Sequence, residues 1–184
     1  MTAHPARDVG GARDARVRIE PWSEADFALL RAANAPEMTD HLGGPETEDL
    51  LIRRHQRYVD LSADRTGAGR MFRIVLLPED APVGTIGFWE RAWNGARVYE
   101  TGWAVLPPFQ GRGIATAAAA AVVREVRAAR KHRYLHAFPA VDNAASNAVC
   151  RKAGFALRGA CDVEYPPGRL LRGNDWRLDL GRRA

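Results

Sequence analysis

Between Val98 and Thr116 the chain reads Val-Tyr-Glu-Thr-Gly-Trp-Ala-Val-Leu-Pro-Pro-Phe-Gln-Gly-Arg-Gly-Ile-Ala-Thr, and no other stretch restricts the fold as much. It predicts a strand, a bend at Pro107-Pro108, and a turn punctuated by Gly111 and Gly113 that opens into an alanine-rich helix running to about Arg130. A strand that feeds a helix through such a turn gathers backbone donors at one point. The first-turn N–H groups of a helix have no partner inside it, and the helix dipole adds positive potential at the same end. Gly111 and Gly113 remove the side chains that would keep a ligand from the main chain. The junction can therefore hold a phosphorylated ligand without a metal ion.

Two nucleotide motifs compete for this turn. The phosphate loop Gly-x4-Gly-Lys-Ser/Thr is excluded, because no lysine and hydroxyl pair follows Gly113. The dinucleotide fingerprint G-x-G-x-x-G fails at its third glycine, which is Thr116, and Pro107-Pro108 separate the strand from the glycines. The following strand also ends without the acidic residue that would hold a ribose.

The run Gln110-Gly111-Arg112-Gly113-Ile114-Ala115 resembles the acyl-coenzyme A motif Gln/Arg-x-x-Gly-x-Gly/Ala of the GNAT N-acyltransferase superfamily. A second stretch, Asn143-Ala-Ala-Ser146-Asn147-Ala-Val149-Cys150-Arg-Lys152-Ala-Gly154-Phe155, is similar to the family's Asn-x-x-Ser/Ala…Lys-x-Gly-Phe helix. The two occur in order, with a strand-like Arg133 to Phe138 between them, and the resemblance extends over about Val17 to Leu180. Gly102-Trp103, the Gln-Gly-Arg-Gly-Ile-Ala-Thr-Ala run and Ser146 bring it nearest the RimJ/RimL-like branch, the ribosomal-protein and amine acetyltransferases.

Composition agrees with an ordinary globular domain. The 184 residues are 46% hydrophobic and 27% charged, enough to bury a substantial core. Residues 1–15 mix Gly, Arg, Asp and Ala without periodicity and read as a disordered tail, leaving 16–184 as a single domain. No apolar run approaches the ~20 residues that span a bilayer, and no signal core is present, so a cytoplasmic protein is expected. Cys150 and Cys161 form no ligand cluster with the scattered histidines, so no metal is expected. The net charge of +5 is spread along the chain rather than blocked, and no nucleic-acid motif accompanies it. Attraction to an anionic coenzyme is sufficient use for it. A monomer or a homodimer is compatible with all of this.

Along the chain, Val17 to Glu20 begins a first strand, and Ser23-Glu-Ala-Asp26 caps a helix that ends before Pro36. Pro45 is expected in the first turn of a second helix carrying Leu50, Leu51, Tyr58 and Leu61, and Ser62 to Gly69 as a polar loop. Strands follow at Phe72 to Leu77, Val83 to Glu90 and Arg97 to Leu106, the last two joined by the hairpin signal Asn94-Gly95. After the helix from Gly113 come a strand at Arg133 to Phe138, a helix at Asn143 to Lys152, and closing strands near Phe155 to Glu164 and Leu170 to Leu180 around Pro166-Pro167-Gly168. The expected fold is α/β, a mixed, mostly antiparallel sheet of about six to seven strands with helices on both faces, as the GNAT resemblance also implies. In the family the linker Asn34 to Pro45 walls the acceptor site; His41 within it reads first as an exposed loop histidine.

Acyl transfer to an amine needs a neutral nitrogen and a donor for the charge that develops on the carbonyl oxygen. A lysine-like amine with a pKa of about 10.4 needs a base more than a terminal amine near 8 does. Alternation puts Val98, Glu100, Gly102 and Ala104 on one face of their strand. Glu100 is an acid on an interior strand beside the coenzyme turn, and it reads either as the general base or as a carboxylate paired with an arginine such as Arg97.

The resemblance implies that the main chain of Trp103, Ala104, Val105 and Leu106 pairs with the pantetheine arm, one N–H polarising the thioester. It implies too that Gln110, Gly111, Arg112, Gly113, Ile114, Ala115 and Thr116 hold the phosphates, and that Asn143 and Ser146 line the arm. Many relatives carry a tyrosine, proposed to protonate the departing thiolate, where Cys150 stands. Cys150 could donate, but a buried helical cysteine is usually packing, leaving Ser146 or solvent. The reading is an acetyl-CoA-dependent N-acetyltransferase acting on an amine acceptor, a small molecule or a peptide or protein N-terminus. The alternative is a non-catalytic coenzyme-binding regulatory domain.

Overall fold

The computed structural model describes residues 15–165 and 168–181. The expected tail lies outside these but for Ala15, as do Pro166 and Pro167 of the closing turn. Seven strands, β1 (Val17–Pro21), β2 (Gly69–Leu76), β3 (Ala81–Trp93), β4 (Ala96–Val105), β5 (Tyr134–Ala137), β6 (Ala156–Glu164) and β7 (Leu170–Asp179), form one sheet. Their order is β1-β2-β3-β4-β5-β7-β6. Every neighbouring pair is antiparallel except β4–β5, where the crossover through a helix makes the strands parallel. The expected mixed, mostly antiparallel sheet is the one observed.

Helices cover the two faces unequally. On one face α4 (Ile114–Ala129) and α5 (Ala144–Lys152) pack over Tyr99, Val105, Leu135, Ala137 and Trp176. The alanines make this possible: Ala118, Ala119 and Ala121 are buried with Val122 and Val126, so helix and sheet approach closely. On the other face α1 (Phe27–Ala33) and α3 (Glu48–Ala63) enclose a smaller core of Trp22, Leu29, Leu30, Leu51 and Met71, bordered by Trp89. A short α2 (Pro36–Thr39) begins at the proline expected to stop α1.

Local chemistry explains the boundaries. Asn94 and Gly95 both take positive φ, 48° and 76°, the two-residue hairpin turn that their sequence predicts. Ser23 and Asp26 form a capping box, the carboxylate accepting from the Ser23 N–H and hydroxyl, each at 2.8 Å. Two expectations are corrected. The helix expected from Pro45 starts at Glu48, because Thr47 supplies the cap by accepting from the Leu50 N–H, and Leu50 itself is exposed. Ser62 is not in a loop: α3 continues to Ala63, and the buried Ser62 hydroxyl donates to the Met71 carbonyl at 2.8 Å while accepting its N–H.

Candidate active site

The site begins where the sheet forks. β4 stays paired with β3 as far as Val105, but it meets β5 only at Tyr99–Leu135 and Glu100–His136. Beyond that pair the β5 chain follows β7 instead. The Asn174 N–H donates to the Pro139 carbonyl, the Val141 N–H donates to the Arg172 carbonyl, and Ala140 bridges Gly173. Thr101 to Val105 are thus left with an open strand edge on the β5 side. Leu106 donates its N–H to Val83 on β3, so by the alternation of an antiparallel ladder the backbone groups of Trp103 and Val105 point into the gap. This narrows the expected stretch: Ala104 and Leu106 are turned towards β3, and the Val105 carbonyl already accepts from Gln110 Nε2 at 2.8 Å.

At the mouth of the fork a single 3-10 turn, Pro107–Phe109, leads into the glycine turn. Gly111 and Gly113 both lie in the left-handed region, with φ of 73° and 78°, and a Cβ at either would meet open space. Gly113 is the N-cap of α4, and the Ala117 N–H makes the first intrahelical bond to its carbonyl. The N–H groups of Ile114, Ala115 and Thr116 precede that bond and face the open side. Ile114 contributes only its main chain, since its side chain is buried in the core. Arg112 is exposed and lies over the Phe109 ring.

Asn143 caps α5, its Oδ1 accepting from the Ser146 N–H at 3.0 Å, so Asn143 and Ser146 occupy the helix end facing the fork's β5 arm. Cys150, one helical turn further on, is wholly buried in the main core, and burial pushes its thiol up to about 12.

Glu100 lies on the face opposite α4, at the vertex of the fork. Its Oε2 accepts from Trp89 Nε1 at 3.2 Å and from Arg91 Nη1 at 2.7 Å. Gly102 makes room for that indole, because a Cβ there would stand 3.1 Å from the Trp89 ring. The expected ion pair exists, but with Arg91: Arg97 is odd-numbered on the same strand and points to the other face.

One pair of residues escaped the sequence reading. His136, opposite Glu100 in the register, brings its Nδ1 within 2.6 Å of Asp175 Oδ1, and Trp93 Nε1 donates to Asp175 Oδ2 at 3.1 Å. His136 stacks on Phe138, which packs on Trp93, and Arg91 lies over both Phe138 and Trp93. Half of the signal was available: alternation puts His136 and Phe138 on one face of β5, and a histidine on an interior strand calls for a partner. Across this face, side-chain ties join the α1–α3 linker and α3 to the C-terminal half. Arg54 is bonded to Glu46 and to the Tyr165 hydroxyl, Arg169 donates to the Gly43 carbonyl, and His41 lies 3.2 Å from Asp142. His41 is exposed, as expected, in a 3-10 turn, and its ring nitrogen reaches Asp142 in the loop before α5.

A family model described as an acetyltransferase (GNAT) domain matches residues 16–156. The chain belongs to the GNAT acetyltransferase family. No curated protein sequence matches this GNAT chain. Solved structures that share its fold include the following three. The acetyltransferase yncA from Salmonella typhimurium, solved with acetyl-CoA, is 22% identical with a TM-score of 0.70, covering 91% of this chain and 96% of its own. RimL, a ribosomal-protein α-N-acetyltransferase solved with coenzyme A, is 20% identical with a TM-score of 0.71, covering 92% and 96%. The spermidine N-acetyltransferase of Vibrio cholerae, solved with CoA and spermine, is 16% identical with a TM-score of 0.70, covering 89% and 95%. Membership makes this GNAT domain an acyl-CoA-dependent acetyltransferase. Among the described residues no group of three or more His, Cys, Asp or Glu could hold a metal, and no helix is long and apolar enough to cross a membrane.

Proposed function

We propose that this GNAT domain transfers the acetyl group of acetyl-CoA directly to a primary amine of a small molecule or of a peptide N-terminus. The fork between β4 and β5, with the glycine turn at its mouth, carries the reading: it offers phosphate donors, then a free strand edge, then charged groups at the vertex, in a line. The N–H groups from Gly111 to Thr116 bind the pyrophosphate. The Trp103 and Val105 main chain pairs with the amides of the arm, and an N–H of that edge stabilises the charge that develops on the thioester oxygen. Gln110 holds the Val105 carbonyl and so fixes the height of that edge. Asn143 and Ser146 line the arm from the β5 side, and the Ser146 hydroxyl is the donor nearest to a departing thiolate. Cys150, sealed in the core with its thiol protonated, packs α5 and delivers no proton to the leaving group. Glu100 faces the acceptor, and its negative charge attracts an ammonium group.

The acceptor class is tested by following CoA release with acetyl-CoA and a panel of polyamines, aminoglycosides and N-terminal peptides, alongside calorimetry of CoA binding. Release with at least one amine is expected. Tight binding with no release on any amine would establish instead a coenzyme-binding module without catalysis.

A further inference from the structure

Resting on the amine-acceptor reading, we infer that His136 is the general base of this enzyme and that Asp175 is the residue that positions it. Three observations place it there. His136 stands at the vertex of the fork, beside Glu100, on the last row before β4 and β5 part, which is where the reactive end of an arm lying along Trp103 and Val105 arrives. Its side chain shares the face of Glu100, away from α4, against Phe138 and beside Arg91 and Trp93, and is buried there with 4% of its surface exposed. Its Nδ1 is committed to Asp175 at 2.6 Å, whereas Nε2 has no hydrogen-bond partner among the described residues.

The surroundings set its protonation. Burial lowers the imidazole below its ordinary value, outweighing the attraction of Asp175 on β7 and of Glu100 on β4, and Arg177 on β7 pushes the same way as burial. Arg91 on β3 lies over the Phe138 and Trp93 rings and is ion-paired to Glu100. The neutral ring therefore keeps its proton on Nδ1, donated to the carboxylate, and offers the Nε2 lone pair. Glu100 is tied instead to Arg91 and the Trp89 indole, both bonds falling on its Oε2.

In the reaction Nε2 takes one proton from the acceptor ammonium. The freed nitrogen lone pair forms the C–N bond, the C–S bond breaks, and the remaining excess N–H proton goes to the thiolate. The imidazolium then returns its proton to water. Asp175 stabilises that imidazolium and fixes the tautomer, as a carboxylate does in other His–Asp pairs.

The test uses the full chain, acetyl-CoA and the amine that releases CoA fastest in the panel. His136→Gln is expected to bind CoA within twofold of wild type and to lower kcat by about 10² to 10⁴. Asp175→Asn, which preserves shape, is expected to lower kcat by about tenfold or more through the wrong tautomer. The acidic limb of the kcat/KM profile disappears in His136→Gln and persists in Glu100→Gln. Nitrogen-15 resonances of the unliganded wild type, read without any substrate and independent of how well the variants fold, are expected to report a neutral His136 protonated on Nδ1 at pH 7.5. An imidazolium or the Nε2-protonated tautomer at that pH overturns the inference. So does wild-type turnover in a folded His136→Gln. A wild type that binds CoA yet acetylates no amine refutes the amine reading itself, and the base with it.

Discussion

At the scale of single residues the division of labour between Glu100 and His136 decides how the enzyme works. Glu100 is 15% exposed and bonded on one oxygen to two donors, so its replacement frees Arg91 and Trp89 as well as removing a charge. Glu100→Gln is expected to lower stability by about 1–3 kcal/mol, to raise the KM for the amine, and to keep kcat within about tenfold of wild type. Thermal melting and CoA release from pH 6 to 9.5 check this. A deficit of about 10² or more that shrinks as pH rises would restore the carboxylate as base and displace His136.

Residues of this kind are legible only in part. The partner of Glu100 could have been derived, since a two-residue turn at Asn94-Gly95 fixes Trp93 opposite Ala96, hence Trp89 opposite Glu100 and Arg91 one diagonal away. Asp175 could not, because it meets His136 across 39 positions through a pairing of β5 with β7 that no local pattern encodes.

At the scale of elements, the proposed coenzyme site is α4 and the turn before it, and glycine geometry separates binding from folding. Gly113 and Gly95 share almost the same φ, 78° and 76°, and a Cβ meets open space at both. An alanine at either position suffers the same strain, about 1–2 kcal/mol. Gly113→Ala and Gly95→Ala are therefore expected to melt at similar temperatures, both below wild type, while only Gly113→Ala loses CoA affinity, by about tenfold or more. Calorimetry on the two variants reads the difference, and equal affinities would remove the phosphates from this turn. Elements set by local chemistry were the legible ones. The hairpin, the glycine turn, α4 and the cap at Asn143 follow from residues within a few positions of each other. The start of α3 was misplaced because Thr47 outcompetes Pro45 as its signal, and the fork was invisible because it depends on where Pro139 and Val141 find hydrogen bonds on β7.

At the scale of the whole molecule, ionisable groups on several elements, one of them at the fork, set the response to pH. Glu90 on β3 is held below the usual carboxylate range: burial pushes it up, but hydrogen bonds from His132 and Lys131, beyond α4, outweigh that. Glu20 is lowered by Arg18 and Arg73, and Asp64 by the Thr66 N–H and hydroxyl. A group whose folded pKa is depressed stabilises the fold above its unfolded value and ceases to as pH falls through the folded one. That window opens below about 4.3 for the two glutamates and below about 3.9 for Asp64. His136 obeys the same sign for a different reason: the buried ring favours its neutral form, so the unfolded chain takes up a proton first, and stability falls from about pH 6.5 downwards. Acidification is thus expected to weaken the protein in two stages, the upper one belonging to a group at the vertex of the active site. Melting temperatures of wild type from pH 8 to 4 should decline first between 6.5 and 5 and again below about 4.3, and His136→Gln should lack the first decline. A wild type that melts at one temperature from pH 7 to 5 would mean that His136 gains no proton on unfolding in that range, and with it would go the neutral imidazole that the base requires.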